Sequence, residues 1–355
     1  MKFLPGSSSL SRRQLLKVGA ATATTLLAPS VILPASAQED ARLKRAKEKG
    51  KVTWYTSMFP TEMREALSQG FEKSTGVRMS VYGAGTNEVV ARLRTERATG
   101  ARNVDVFDGG DYDVIEAMIK DKILKSFRPK GAEAILPDFK DSRGYFYGIY
   151  AWALVITYNT TVYNPSTAPQ GWLDLSNPKF KGKIIISDPA RATAALGFCK
   201  VMVKWKGWDW IEEFLRNDPL VMSVSSEIQP AVVRNERPIG IISSQFPSKM
   251  MEEGAPINIV KTDDPLFPSP DVIGIIADAP NPDGAELFVE YLISKQAQEI
   301  VRGFGPYSSR VDVANPFGMP PLKDVKFKYL IPPPLDIDAV QIAERFQKML
   351  RAAKR

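Results

Sequence analysis

The apolar and polar positions of the chain follow two alternating periods. The stretch "KVTWYTS" (51–57) is rich in β-branched and aromatic residues and predicts a strand. In the next segment apolar residues recur at helical spacing, with Thr61 as a candidate N-cap and Gly76 as a typical helix end. Strand and helix continue to alternate up to about residue 122. This β-α-β-α order predicts an α/β fold, in which helices cover a mostly parallel sheet.

Two segments read as strands that are longer than one small sheet needs. They are "YGIYAWALVITYN" (147–159) and "DVIGIIADAP" (271–280). A chain of 355 residues exceeds the usual size of a single hydrophobic core. We therefore expect both strands to cross between two lobes with a ligand cleft between them. The expected boundaries are 38–152 plus 275–320 for lobe 1, 153–274 for lobe 2, and 321–355 for a C-terminal Pro-rich segment and helix.

Three further segments carry specific expectations. "IGIISSQFPSKM" (239–250) reads as a short buried strand that runs into a polar turn, with Pro247 ending the pattern. Residues 281–305 read as one helical segment with Asn281 as its cap and Pro282 at its first position. The last 20 residues predict an amphipathic helix docked on its own domain, with one apolar face formed by Val340, Ala343, Phe346 and Leu350.

The N-terminus has the features of an export signal. Arg12 and Arg13 precede a weakly apolar stretch that ends at the small residues 35–37, which predicts a twin-arginine signal peptide over 1–37 and cleavage before Gln38. The whole chain carries a net charge of +7, and the four basic residues of the signal reduce this to +3 when it is removed. No run of basic residues interleaved with aromatics indicates nucleic acid as a partner. We expect a periplasmic monomer.

Two residue types restrict the chemistry. The chain has no histidine, which excludes Ser-His-Asp and Cys-His catalysis and every histidine-based metal site. Its single cysteine, Cys199, lies in an apolar stretch and cannot form an intramolecular disulfide. We expect neither a cofactor nor a metal, and an exported enzyme is the least favoured class.

Two motifs in register resemble one known family. "WLDLSNPKFKGKIIISDP" (172–189) resembles the W-x-D-L-x-x-P-x-aromatic-K-G-K run of periplasmic solute-binding proteins, and "NPDGAELFVEYL" (281–292) resembles their helix N-x-x-G-A-x-x-F-x-x-[FY]-L. The similarity covers roughly residues 51–316 and is to the ferric-iron-binding and organic-anion-binding branch of the solute-binding proteins of ABC importers. The resemblance implies a type II two-lobed fold, a ligand in the cleft, delivery to a permease in the inner membrane, and no catalysis.

The resemblance also indicates which iron-binding residues of the family this chain lacks. Iron-binding members end the strand that matches "IGIISS" with two adjacent tyrosines, where this chain has Gln245 and Phe246. Trp152 and Leu154 stand where iron binders carry arginines. The usual ligand set for ferric iron is therefore absent, although an unusual set of Tyr55, Tyr150, Asp108 and Asp111 stays open as an alternative.

The remaining candidates favour a small organic anion, such as a carboxylate, phosphonate or sugar phosphate. Strand ends, glycines that allow close approach, and the segment "SDPARATAA" supply the polar groups, and two aromatic residues supply apolar faces. Trp152 could instead serve packing alone, and Asp188 could instead cap a helix that leaves Arg191 exposed. The predicted ligand-binding residues are Thr56, Ser57, Gly109, Gly110, Trp152, Asp188, Arg191, Thr193, Ser244, Gln245 and Phe246.

Overall fold

One sheet runs through the molecule. The computed structural model describes residues 35–58, 60–110, 112–223, 225–262, 264, 267–319 and 339–353, so most of the predicted signal, Asp111 and most of the Pro-rich segment lie outside the described residues. The strands of these residues all lie in the compact unit from Asp40 to Arg355. They are β1 Lys51–Thr56, β2 Arg78–Gly83, β3 Val106–Gly109, β4 Leu124–Lys125, β5 Tyr147–Asn159, β6 Ile184–Ser187, β7 Leu220–Met222, β8 Ile239–Ser243, β9 Ile257–Ile259, β10 Phe267–Ile276 and β11 Tyr307–Ser308.

The order of the strands places the two long ones in the middle. The sheet runs β2-β1-β3-β10-β5-β8-β6-β7, with β4 on β10 and with β9 and β11 on β5. The pairs β1/β2, β1/β3, β6/β7 and β6/β8 are parallel, whereas every pair that includes β5 or β10 is antiparallel. The two parallel parts therefore lie at opposite ends of the sheet and are joined by the long strands, which confirms the predicted α/β class.

Helices connect and cover these strands. The described α-helices are α1 Ala35–Glu48, α2 Thr61–Thr75, α3 Thr86–Ala98, α4 Tyr112–Lys120, α5 Thr193–Arg216, α6 Ile228–Val233, α7 Gln245–Glu252, α8 Pro282–Leu292, α9 Lys295–Gly303 and α10 Ala339–Ala353. Helix α5 is kinked at Gly207, whose φ of 82° is not helical. No helix in the described ranges has both the length and the apolar content needed to cross a membrane.

The ends of α2 show one correct and one wrong prediction. Gly76 is the C-cap, with a φ of 71° that a residue with a side chain adopts only at a cost. Thr61 is the first helical residue, and the N-cap is Pro60, whose ψ of 169° is extended. The Thr61 hydroxyl instead accepts a hydrogen bond of 3.0 Å from Arg64.

The predicted polar turn after β8 is in fact the start of a helix. Ser244 is the single residue between β8 and α7, and α7 begins at Gln245. Pro247 lies in the first turn of α7, where its missing N–H leaves no hydrogen bond unmade. The prediction that Pro247 ends the pattern was therefore wrong, because proline interrupts a helix interior and not its first turn.

The segment 281–305 is two helices and not one. Asn281 caps α8 as predicted, since its side chain accepts from the Gly284 N–H at 3.0 Å, and Pro282 is the first helical residue. The break falls at Ser294, whose side chain accepts from the Ala297 N–H and caps α9. A second capping residue within the segment starts a new helix there.

Helix α10 docks on its own domain, as predicted. Ile342, Phe346 and Leu350 are buried in the hydrophobic cluster that includes residues of α5. Val340 was expected on this face but is 64% exposed, and Ile342 takes its place. The narrow apolar face of α10 is therefore buried by packing within the chain.

Candidate functional site

Two parallel strands bring the first group of predicted residues together. Strands β1 and β3 pair through Trp54 with Val106 and Tyr55 with Phe107, so their carboxyl ends meet at one edge of the sheet. Thr56 is fully buried at the end of β1, and Ser57 is half-buried. The Ser57 backbone N–H donates to Oδ1 of Asp108 at 3.1 Å. The two strand ends are therefore tied by the Asp108 carboxylate.

Asp108 is the most buried charged group of this edge. Its side chain is 0% exposed and also accepts from the Trp54 indole N–H at 2.5 Å. Burial raises the pKa of Asp108 well above its usual value, and the neighbouring Asp271 charge raises it further. Hydrogen bonds with Thr56, Ser57 and Trp54 oppose this rise without cancelling it.

Strand β10 delivers Asp271 to the same place. Val272 is paired with Gly109 and Ile273 with Asp108 in the antiparallel register of β10 and β3. Gly110 follows so closely that a Cβ there would lie 3.0 Å from the Pro270 carbonyl oxygen, which explains the glycine. Oδ2 of Asp271 accepts from the Tyr150 hydroxyl at 2.7 Å, and burial raises the pKa of Asp271 to about 6.

Trp152 and Gln245 extend this group along β5. The Trp152 ring lies 5.5 Å from the Tyr150 ring in an edge-to-face arrangement. A Cβ on Gly305 would lie 3.6 Å from Cα of Gln245 and 4.0 Å from Cζ3 of Trp152, so both residues border the same turn. Trp152 therefore borders the Gly305 turn with Gln245 on one side and contacts Tyr150 on the other.

Ser244 and Phe246 take more structural positions. Ser244 is fully buried, donates its N–H to the Ala153 carbonyl at 2.8 Å, and accepts the Ala153 N–H on its hydroxyl at 3.2 Å. It thereby continues the pairing of β5 and β8 by one residue. Phe246 is partly buried against the main hydrophobic core.

The predicted residues after β6 point elsewhere. Oδ1 of Asp188 accepts from the Ala190 N–H at 2.9 Å and from Nε2 of Gln347, on α10, at 2.8 Å. Helix α5 begins at Thr193 with Ala192 as its N-cap, so Pro189 does not start it and Asp188 does not cap it. Arg191 is exposed, and the side chain of Thr193 lies outside the described part.

The two tyrosines of the alternative iron ligand set contact different acids. The Tyr55 hydroxyl donates to Glu96 at 2.8 Å, whereas Tyr150 donates to Asp271. Burial and Glu96 raise the pKa of Tyr55 to about 12, which disfavours its phenolate. The fourth member, Asp111, is outside the described residues. The described part of the chain holds no cluster of three or more acidic or thiol side chains suited to a metal ion.

Two surface grooves lie away from Trp152. One, of about 650 Å³, lies between α10 and the turn that contains Pro189. The other, of about 610 Å³, is lined by Lys51, Tyr55, Tyr82 and Arg92 among others. The first is lined mostly by apolar residues, and the second mostly by polar and charged ones. The candidate site rests instead on buried polar groups at strand ends.

Sequence reasoning did not assign a role to Asp271, and it named Tyr150 and Asp108 only as unusual iron ligands. A signal existed for Asp271, because it is an acidic residue at the head of an otherwise apolar stretch. An acid predicted to be buried needs a partner. The sequence could not indicate that the neighbours of Asp271 are Tyr150 and Asp108.

Comparison with known proteins places this geometry in a family. The model of the bacterial extracellular solute-binding protein family matches residues 101–330. One relative, from Salmonella paratyphi A, is named "Putative 2-aminoethylphosphonate-binding periplasmic protein". It is 26% identical over 302 residues, which cover 81% of this chain and 81% of the relative.

Solved structures share the fold. Iron-bound HitA from Pseudomonas aeruginosa superposes with a TM-score of 0.67 at 18% identity, covering 86% of this chain and 99% of HitA. AfuA from Actinobacillus pleuropneumoniae, solved with fructose-6-phosphate bound, gives a TM-score of 0.63 at 22% identity, with 86% and 97% covered. The match to the family model spans more than half of the sequence, and the chain belongs to the bacterial extracellular solute-binding protein family.

Proposed function

We propose that this protein captures a small organic anion in the periplasm and delivers it to the permease of an ABC importer. As a family member it is a solute-binding component of such a transporter, and its named relatives are binding proteins. The ligand classes that we favour are carboxylates, phosphonates and sugar phosphates. The observation that carries the proposal is a chain of contacts. Trp152 packs on Tyr150, Tyr150 donates to Asp271, and Asp271 adjoins the ends of β1 and β3, where Thr56, Ser57 and Gly110 lie.

The arrangement suits capture by closure. Residues 38–152 with 275–320 form one proposed lobe and residues 153–274 the other, joined by β5 and β10. Trp152 lies on the connecting strand β5, and Gln245 begins α7, which follows β8, the neighbour of β5 in the sheet. Groups from both lobes can reach one ligand there. Closure about such crossing strands encloses the ligand and excludes water from its polar contacts.

The test is a thermal-shift panel on purified residues 38–355, using carboxylates, phosphonates and sugar phosphates. A ligand at 100 times its Kd should stabilise the fold by about 2.7 kcal/mol. The double variant Gln245→Ala, Phe246→Ala should reduce this shift. Phe317→Ala, at a side chain that is 51% exposed, is the matched control and should leave the shift unchanged. Failure of every anion to shift the transition would contradict the proposal.

Export through the twin-arginine route is part of the proposal. Arg12→Lys with Arg13→Lys should keep the protein in the cytoplasm, and the exported form should begin at Gln38 by mass spectrometry. Sedimentation should give the mass of a monomer. A precursor that is still exported after both substitutions would exclude this route.

A further inference from the structure

Two buried carboxylates lie side by side within the candidate site. Asp108 is 0% exposed on β3 and Asp271 is 6% exposed on β10, and they come from strands that are paired with each other. The hydrogen bonds of the pair are unequal. Asp108 accepts from Trp54 and Ser57, and Oδ2 of Asp271 accepts from Tyr150. Oδ1 of Asp271 is buried and has no hydrogen-bond partner among the described residues.

The pair also lacks a counter-charge. The charged neighbour that raises the pKa of Asp108 is the Asp271 carboxylate, and neither acid forms a salt bridge within the described residues. Two carboxylates in a dry site repel each other unless a proton or a cation neutralises one of them. A bare acceptor at Oδ1 is a costly feature that a donor from outside the chain would relieve.

A second observation, independent of the acids, comes from Trp152. Its side chain is about nine-tenths buried. Its ring lies against Tyr150, the same residue that donates to Asp271. The site therefore offers an aromatic face next to Oδ1 of Asp271, which accepts no hydrogen bond by geometry from the described residues and lies beside Asp108. Aromatic faces attract organic cations, and an indole N–H suits an anionic or carbonyl oxygen.

We propose that the ligand carries a cationic amino group as well as its anionic group, and that the ammonium binds between Asp271 and Asp108 against the Trp152 ring. The ammonium donates to Oδ1 of Asp271 and supplies the positive charge that the pair lacks. This inference rests on the proposed function, because it names the class of solute that the same site captures. The ligand class is a small amino acid, aminophosphonate or amino-sugar phosphate.

The experiment compares ligands that differ only by an amino group. Calorimetric titration of residues 38–355 uses three matched pairs: 2-aminoethylphosphonate with ethylphosphonate, 4-aminobutyrate with butyrate, and glucosamine 6-phosphate with 2-deoxyglucose 6-phosphate. Putrescine serves as a cation without an anionic group. The amino member of at least one pair should bind about tenfold tighter or more, since a hydrogen bond to a charged group contributes on this scale.

The variants locate the effect. Asp271→Asn keeps the shape of the side chain and removes its charge, and it should bring the affinity ratio of the pair close to one. Asp138→Asn, at an exposed carboxylate, should leave the ratio unchanged. If Asp271→Asn does not fold, a measurement on the wild type still tests the inference. An ammonium that replaces the proton held between Asp108 and Asp271 must release that proton to the buffer. The binding enthalpy of the amino ligand must then vary with the ionisation enthalpy of the buffer.

The outcomes separate the two proposals. Equal binding by both members of every pair overturns the amino-group inference and leaves anion capture intact. Binding of putrescine with no binding of any anion supports the ammonium site and overturns anion capture. A preference for the amino member that survives Asp271→Asn shows that the ammonium binds elsewhere and overturns the inference. No binding by any compound of the panel overturns both.

Discussion

The hydroxyl of Tyr150 donates a hydrogen bond of 2.7 Å to Oδ2 of Asp271. This bond links β5 to β10, the two long strands that cross the sheet, at residues 121 positions apart. Asp271 in turn adjoins Asp108 at the end of β3. A single polar contact therefore connects the crossing strands to the edge where the candidate ligand site lies.

We predict that Asp271 makes the protein less stable as the pH rises. Burial raises the pKa of Asp271 to about 6 from 3.8, so the folded state holds a proton that the unfolded state has released. The free energy of unfolding should fall between about pH 4 and pH 6, and Asp108 acts in the same direction. Asp271→Asn should be more stable than the wild type at pH 7.5 by about 1–3 kcal/mol in urea unfolding, with a flatter pH profile. A steeper pH dependence of the free energy of unfolding in Asp271→Asn than in the wild type would contradict this prediction. The same pH dependence in Asp271→Asn and in Asp138→Asn would also contradict it.

Asp105 should be a structural anchor. Its carboxylate is 1% exposed and accepts from the backbone N–H of Thr53 at 2.7 Å and of Asn281 at 2.6 Å, which ties β1 to the N-cap of α8. Asp105→Ala leaves both buried donors unpaired and should lower the free energy of unfolding by about 2–4 kcal/mol. Asp105→Asn retains one acceptor oxygen and should lose less. Equal unfolding midpoints for the three proteins would disprove the anchor.

Two glycines in helices should respond in opposite ways to alanine. A Cβ on Gly284 of α8 would lie 2.6 Å from Cγ2 of Val52 and 2.7 Å from Nδ2 of Asn281, whereas a Cβ on Gly197 of α5 meets nothing within 4 Å. Gly284→Ala should destabilise by about 1–3 kcal/mol through overpacking. Gly197→Ala should stabilise by up to about 1 kcal/mol through helix propensity. Thermal unfolding of both variants tests this prediction. A change in the unfolding temperature in the same direction for both variants would refute it.

The C-terminal helix should contribute to stability through one face. Phe346 is 0% exposed in the cluster that includes residues of α5, and Phe346→Ala should cost about 3–5 kcal/mol. Val340 on the same helix is 64% exposed, and Val340→Ala should change stability by less than about 0.5 kcal/mol. Chemical denaturation of the two variants measures the difference. A small effect of Phe346→Ala would mean that α10 unfolds before the rest of the chain.

Elements whose signals act over a few residues could be predicted from the amino-acid pattern. The bounds of β5 match the predicted 147–159, and Asn281 caps α8 as expected, because periodicity and capping operate within one or two turns. The family motifs likewise indicated the fold, which the match over residues 101–330 confirms. Local signals also misled in places, since Ser294 divides a segment that reads as one helix.

Which side chains meet depends on long-range packing. Asp108 and Asp271 adjoin because β10 pairs with β3 in the register that sets Ile273 opposite Asp108, and nothing near either residue in the sequence specifies that register. The same long-range packing engages Ser244 with Ala153 and Asp188 with Gln347, while Arg191 stays exposed. Register over such separations is set by the burial of whole strand faces, so the chemistry of the site depends on contacts that no local pattern encodes.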